Sequence, residues 1–397
     1  MDWRIFLQQL IGFMLAVIRR YSLWAVRIAL LWVILTSLSA PSMRVQLENP
    51  PRAVEAVTDH VCVHTRLIDE VHEWVIQRSL QLVREMGANT IVEFFPWAYI
   101  EREPNQYDWR QADTIVRHAE NQGLRVIARM GFVPEWARPS VVNTPTTLNY
   151  LPDDAYDDFA EFVAVFAERY AGRIDHLIIW NEPNLAFEWG YRPPDAAAYT
   201  RLLQAVYDPV HQANPDVVIL GGALAPTLEP VGSPNGLIDT HYLEAMYQAG
   251  AGDYFDALAV HTYGFTHPPE QAPAHDRLNF RRAELLFEIM GRYGDGDKDV
   301  YITESGWNDH PRWTQAVRPA QRVQYTVDAL AYADVQWEQV ESLCLWVLRY
   351  PVPTLSYPDH FTLVNTNFQI SPLYYAVQDY ARGSASEERL WLAPPTE

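Results

Sequence analysis

IIWNEPN (Ile178–Asn184) and VYITESGW (Val300–Trp307) are the two stretches on which the fold turns. Each is an apolar run that reads as a buried strand, and each ends in a glutamate. Strands of a parallel sheet covered on both faces read as near-continuous apolar runs. In an α/β barrel the groups that do chemistry sit where such strands end.

Working outward, the chain alternates short β-type runs with longer helical patterns. The strand candidates are Val61–His64, Thr90–Phe95, Arg125–Met130, Leu177–Asn181, Val217–Gly221, Ala257–His261, Val300–Thr303 and Ser342–Val347. Amphipathic stretches lie between them: Asp69–Met86, Trp109–Asn121, Asp153–Tyr170, Asp195–Ala213, Leu237–Ala249, Asp276–Arg292 and Pro319–Gln336, with Pro372–Ala381 closing the series. Eight strand–helix units at roughly 40 residues each predict one (β/α)8 TIM barrel. A doubly wound sheet is the alternative, but no Gly-rich phosphate loop follows the first strand. The long loops after strands, such as Phe132–Pro152 and Tyr350–Ser371, are rich in Pro, Trp, Tyr and His. They predict a shaped cleft at one end of the barrel.

Composition narrows the function. The net charge is −20 over 397 residues, and residues 1–40 hold four arginines against one aspartate, so the body is more acidic still. Such a body repels nucleic acid, and no basic stripe appears. The only lysine, Lys298, lies in an acidic turn, which leaves Schiff-base chemistry without a candidate. The chain has 14 Trp and 22 Tyr, and aromatic rings serve both core packing and stacking on the apolar faces of sugars. Two cysteines, Cys62 and Cys344, exclude a disulfide framework and a Cys-rich metal site. They fall on the first and last strands; two buried free thiols are expected, with a bridge as the alternative. His60 and His64 lack a third ligand, the Asp295–Asp299 turn lacks a calcium register, and no G-x-S-x-G elbow occurs. No metal and no organic cofactor is expected.

Residues 1–40 stand apart. Ile5–Ile18 is mostly apolar, Arg19, Arg20 and Arg27 follow, and Ile28–Ala40 is apolar with small residues at its end. This reads as a signal peptide or, over Tyr21–Ala40, a membrane anchor. Either places the body outside the cytoplasm, secreted or attached to the cell membrane. Residues 41–58 read as a linker and 59–390 as the barrel domain.

Glu182 and Glu304 end the fourth and seventh strands, which face each other across the barrel mouth. Two carboxyl groups set in one cleft are the equipment for cleaving a glycosidic bond, one donating a proton and one ionised. Asn181 offers an amide to a sugar hydroxyl, Pro183 stiffens the turn, and Trp307 offers a stacking face.

WNEPN resembles the acid/base motif of clan A glycoside hydrolases, and ITESGW resembles their nucleophile motif. The resemblance runs from about Asp59 to Ala381 and is nearest to families 5 and 39. It implies that Glu182 is the acid/base and Glu304 the nucleophile of a retaining double displacement on an oligo- or polysaccharide, with carboxyl groups about 5–5.5 Å apart. It also implies that Tyr263 bonds the nucleophile, that His261 supports the acid/base or the sugar, and that Trp346 is the platform under the reacting ring. Two features depart from family 5. Glu93 stands where a strand-two arginine is usual, so that Arg129 would supply the charge. The strand-three histidine is missing. His64, Trp97, Trp136 and Asn184 are further candidates for sugar contacts. A transglycosylase or exopolysaccharide-processing endoglycosidase would use the same residues. A non-catalytic carbohydrate-binding barrel would have lost one glutamate.

Overall fold

The structure is a computed structural model that describes residues 3–38, 51–138 and 147–383. The chain divides into two compact units, residues 1–50 and 51–397. The first holds one helix, α1 (Trp3–Leu38). Its large apolar side chains, among them Ile5, Phe13, Leu15, Trp24 and Trp32, are exposed. Among the described residues no helix is long and apolar enough to cross a membrane. The expected anchor span, Tyr21–Ala40, ends outside the described residues, as do most of the expected linker and everything beyond Gly383.

The second unit is a closed barrel of eight parallel strands. They are β1 (Val61–His64), β2 (Thr90–Pro96), β3 (Arg125–Gly131), β4 (His176–Ile179), β5 (Val218–Leu224), β6 (Ala257–Tyr263), β7 (Val300–Gly306) and β8 (Val340–Leu345). Each pairs with its neighbours in sequence, and β8 closes on β1. All eight fall where the apolar runs placed them. Helices α2 (Glu73–Met86), α3 (Arg110–Asn121), α4 (Tyr156–Arg169), α5 (Ala196–Ala213), α6 (Asp239–Gln248), α7 (Ala283–Tyr293), α8 (Pro319–Gln336) and α9 (Pro372–Ala381) alternate with them. A small hairpin, Glu101–Glu103 with Gln106–Tyr107, is added after β2.

Period-two alternation divides each strand between two cores. Val61, Val63, Ile91, Val126 and Leu177 face the helices. Cys62, Val92, Ile127, Ile178, Leu220 and Cys344 fill the barrel interior. Cys62 and Cys344 are direct partners in the β1–β8 register, and they form a disulfide. This corrects the expectation of free thiols: two inward side chains at the same level of adjacent strands meet inside the barrel. The bridge ties residues 282 apart, joining the first strand to the last, and constrains the unfolded chain accordingly.

The described part of the expected linker, residues 51–58, runs against the barrel domain. The Arg52 amide donates to the Asn121 carbonyl and the Val57 amide to that of Ala381, so residues 51–58 are fastened to α3 and α9. A Cβ at Gly123, where φ is +70°, would lie 2.1 Å from the Arg52 carbonyl oxygen; the fastening needs glycine there.

Two irregularities aim side chains at the cleft. Val260 pairs with Ile302 but His261 with Glu304, so Thr303 is an extra residue in β7. Strict alternation from the inward Tyr301 would send Glu304 out to the helices; the bulge turns it in beside His261. Ala223 is a matching extra residue in β5, and its carbonyl accepts from the Glu182 amide.

Candidate active site

β4 ends at Ile179, three residues before Glu182. Trp180 (φ 75°) and Glu182 (φ 42°) then take left-handed backbone, which turns the Trp180 indole toward Phe159 and Trp189. Phe132 (φ 57°), Ala223 (φ 49°) and Phe265 (φ 51°) repeat this conformation beyond or at the ends of β3, β5 and β6. Each such residue costs about 1–3 kcal/mol, and packing around the cleft offsets it.

Glu304 is buried at 6% exposure and surrounded by donors. The Tyr263 hydroxyl donates to its Oε2 at 2.7 Å, and Arg129 Nη1 lies 3.4 Å from its Oε1. His261 Nδ1 is 2.8 Å from Glu182 Oε1 and 3.6 Å from Glu304 Oε2. Nδ1 therefore lies between the two carboxyl groups. One donor atom each from Glu182, His261 and Glu304 lies within 4.8 Å of the others. Among the described residues these three are the group able to hold an ion, but the guanidinium of Arg129 beside Glu304 opposes a divalent cation there.

Burial pushes the Glu304 carboxyl up and Glu182 adds to this, while His261, Arg129 and Tyr263 pull it back. For His261, burial favours the neutral ring, but Glu304 and Glu182 outweigh it and hold the imidazole above its ordinary value. His64 goes the other way: burial, with Arg129 and Arg66, keeps it neutral.

The cleft above this pair has a volume of about 520 Å³, within the usual range for small-molecule sites. Of the residues expected from sequence, Glu182, Glu304, Asn181, Tyr263, Trp346 and Arg129 line it. Trp346 is half-buried; its indole donates to the Tyr350 hydroxyl at 3.0 Å. His261 lies beneath, touching both glutamates. Arg129 reaches Glu304 and donates to Asn181 Oδ1 at 2.8 Å. Glu93 instead faces the loop after β1, accepting from the Thr65 hydroxyl and the Leu67 and Ile68 amides. That loop carries Arg66 to the cleft wall.

The remaining candidates do not line the cleft. His64 is fully buried, its ring packed against Trp346 with centroids 4.4 Å apart and its Nε2 4.0 Å from Glu304. Trp307 is turned into the core, where its indole donates to the His267 carbonyl. It packs over Gly264, where a Cβ would lie 1.8 Å from the ring. Trp136 donates to the Glu101 carbonyl and packs on the buried Trp97. Asn184 is buried and ties the post-β4 turn to Ala225 and Leu237.

Sequence reading missed Glu188. It lines the cleft and lies in the loop after β4, between Phe187 and Trp189. Burial and then Glu182 push its carboxyl up to about 7. A lone acid between two aromatic residues in a post-strand loop was the available signal. It also missed the aromatic wall supplied by Phe94, Phe132, Phe265 and the stacked pair Trp313–Tyr357.

No protein-family model matches the chain, and neither does any curated protein. Solved structures do. A family 39 glycoside hydrolase from the gut symbiont Bacteroides cellulosilyticus WH2 is similar at a TM-score of 0.67 and 19% identity, over 84% of this chain and 65% of that one. A monomeric β-xylosidase from Caulobacter crescentus CB15 is similar at 0.60 and 18%, over 82% and 69%. A family 5, subfamily 18 protein from Bifidobacterium longum is similar at 0.58 and 13%, over 81% and 77%. At these identities the likeness is one of fold, and it falls on the two families that the motifs resemble. The chain spans just under two thirds of the length of the first of these structures.

Proposed function

We propose that the chain is a retaining O-glycoside hydrolase that cleaves β-linked oligo- or polysaccharide by double displacement. The observation that carries this reading is the pair Glu182 and Glu304, set across one cleft with donor atoms within 4.8 Å. That closeness favours retention, since inversion needs about 6.5–9.5 Å to admit a water. Glu304, with Tyr263, Arg129 and His261 around it, is the ionised nucleophile. It attacks the anomeric carbon as Glu182 gives its proton to the leaving oxygen. Glu182 then takes a proton from water, the water oxygen bonds the same carbon, and Glu304 is released. Trp346 supports the ring from below. The aromatic wall suits sugar faces, and the β-xylosidase of like fold makes β-xylosides natural first substrates to test.

We further propose that the body lies outside the cytoplasm, with residues 1–40 as its signal or membrane attachment. The Cys62–Cys344 disulfide suits an oxidising compartment, and the exposed apolar side chains of α1 suit a targeting or membrane-associating segment.

The test is a panel of aryl β-xyloside, glucoside, galactoside and mannoside with β-glucan, xylan and mannan polymers. Release of aglycone or reducing ends from at least one is expected. Binding without cleavage across the whole panel would favour the non-catalytic barrel.

A further inference from the structure

The two sides of the cleft differ in chemistry. The difference bears on the leaving group of the reaction proposed above, and the inference rests on that reading. One side offers hydrogen bonds. Arg66, Arg129, Asn308 and Tyr350 line it from the ends of β1, β3, β7 and β8 and the loops beyond them. Glu188 follows β4 but is held toward the loop after β3, where Asn149 Nδ2 donates to its Oε2 at 2.9 Å. From β4 round to β6, between Glu182 and Tyr263, the wall is Leu185, Ala225, Pro226 and Phe265. None of these four has a polar side chain.

The backbone of that stretch is closed as well. The buried Asn184 side chain accepts from the Ala225 amide and donates to the Ala225 and Leu237 carbonyls. Leu185 pairs with Gly236 as an antiparallel bridge, flanked by the Ala186 amide on the Asn235 carbonyl and the Leu237 amide on that of Asn184. The Leu185 amide donates to the Glu182 carbonyl, and Pro226 has no N–H. The loops after β4 and β5 thus form one ledge, and the N–H groups of Leu185, Ala186 and Ala225 are spent within it. Farther along the loop after β5, Leu228 and Val231 are exposed. The polar side chains there serve the loop itself: Thr227 Oγ1 accepts from the Glu229 amide, and Ser233 donates to the Glu229 carboxylate.

The leaving oxygen must lie within hydrogen-bond reach of Glu182. Its substituent points away from Glu304, which attacks the opposite face of the anomeric carbon. It therefore meets the residues that flank Glu182. Leu185 is three positions on, and Ala225 lies two beyond Ala223, whose carbonyl accepts the Glu182 amide. A second sugar set there would bury hydroxyls against aliphatic carbon, each without a partner and each at a cost. An alkyl chain brings no such cost and gains with every methylene covered. The wall holds one ring, Phe265, among aliphatic side chains, which suits a chain better than a flat aromatic group.

We propose that the leaving group is an apolar long-chain alcohol, so that the enzyme releases its saccharide from an alkyl glycoside of the glycolipid kind. Glu182 gives its proton to the alcohol oxygen as the anomeric C–O bond breaks. The saccharide stays on Glu304 until water frees it, and the alcohol departs along the ledge.

The experiment measures kcat/KM on the methyl, butyl, hexyl and octyl β-glycosides of the sugar that the aryl panel shows is turned over fastest. Concentrations stay below those at which the glycosides form micelles, and the β-linked disaccharide of the same sugar is run alongside. The alkyl alcohols differ little in acidity, so the series reports contact with the wall. Values should rise about two- to fourfold per added methylene, the worth of a methylene taken out of water. The octyl glycoside should exceed the disaccharide by on the order of tenfold or more. Leu185→Asn and Pro226→Ser, which put hydrogen-bonding groups on the ledge, should each lower the octyl-to-methyl ratio by about three- to tenfold. A flat series in the unaltered protein, a disaccharide cleaved as well as the octyl glycoside, or an unchanged ratio in both variants overturns the proposal. Failure of the unaltered protein to turn over any glycoside, aryl included, would overturn the hydrolase reading instead.

Discussion

Glu304→Ala is expected to lower kcat on an activated aryl β-glycoside by on the order of 10⁵-fold, as removal of a catalytic nucleophile does elsewhere. At about 1.4 kcal/mol per decade this amounts to roughly 7 kcal/mol of lost transition-state stabilisation. The size follows from the surroundings. Tyr263, Arg129 and His261 converge on Glu304, and none of them can attack carbon in its place. Removing a buried side chain at 6% exposure also leaves a donor cluster without its acceptor, so the unfolding midpoint is measured alongside. The loss of turnover should far exceed any loss of folded protein. Turnover comparable to the unaltered chain would remove Glu304 from the mechanism.

Glu182→Ala should behave differently, because an acid/base serves both half-reactions unequally. With a poor leaving group, kcat/KM falls by about 10²–10⁴-fold, the usual worth of general acid catalysis. With a 2,4-dinitrophenyl leaving group the first step needs no proton, and the glycosyl-enzyme accumulates. Azide, which needs no general base, should then restore kcat and yield a β-glycosyl azide. An α-azide, or no rescue, would contradict the assignment. The pH profile gives a second reading of the pair. Burial and then Glu182 push the Glu304 carboxyl up. Activity requires Glu304 ionised, so a raised value moves the acid limb of the profile to higher pH. With the 2,4-dinitrophenyl substrate, Glu182→Gln should keep that acid limb, because the limb belongs to Glu304.

The strands were legible because parallel strands buried on both faces spell themselves as runs of Val, Ile and Leu, and the two glutamates because they close such runs. What stayed hidden depends on register and on space. Nothing in VYITESGW marks Thr303 as the extra residue that turns Glu304 inward. Nor does either cysteine show that the two share one level of adjacent strands. Trp307 looked like a stacking platform because it follows the nucleophile motif. It is a core residue because Gly264 on the neighbouring loop leaves a hollow for it. His64 and Trp136 were drawn in by residue type alone, whereas position sends one beneath Trp346 and the other against Trp97. Glu188 was invisible for the opposite reason: it sits in a loop without periodicity, and its place in the cleft wall depends on Asn149, which approaches it only in the fold.

The central claim is that Glu304 bonds covalently to the sugar. It is tested by incubating the protein with a 2-deoxy-2-fluoro aryl β-glycoside of the sugar it hydrolyses, followed by mass spectrometry of the intact chain and its peptides. The account predicts one fluoroglycosyl group per chain, carried on Glu304. Label on another residue, or full turnover of unfluorinated substrate with no label at all, would contradict it.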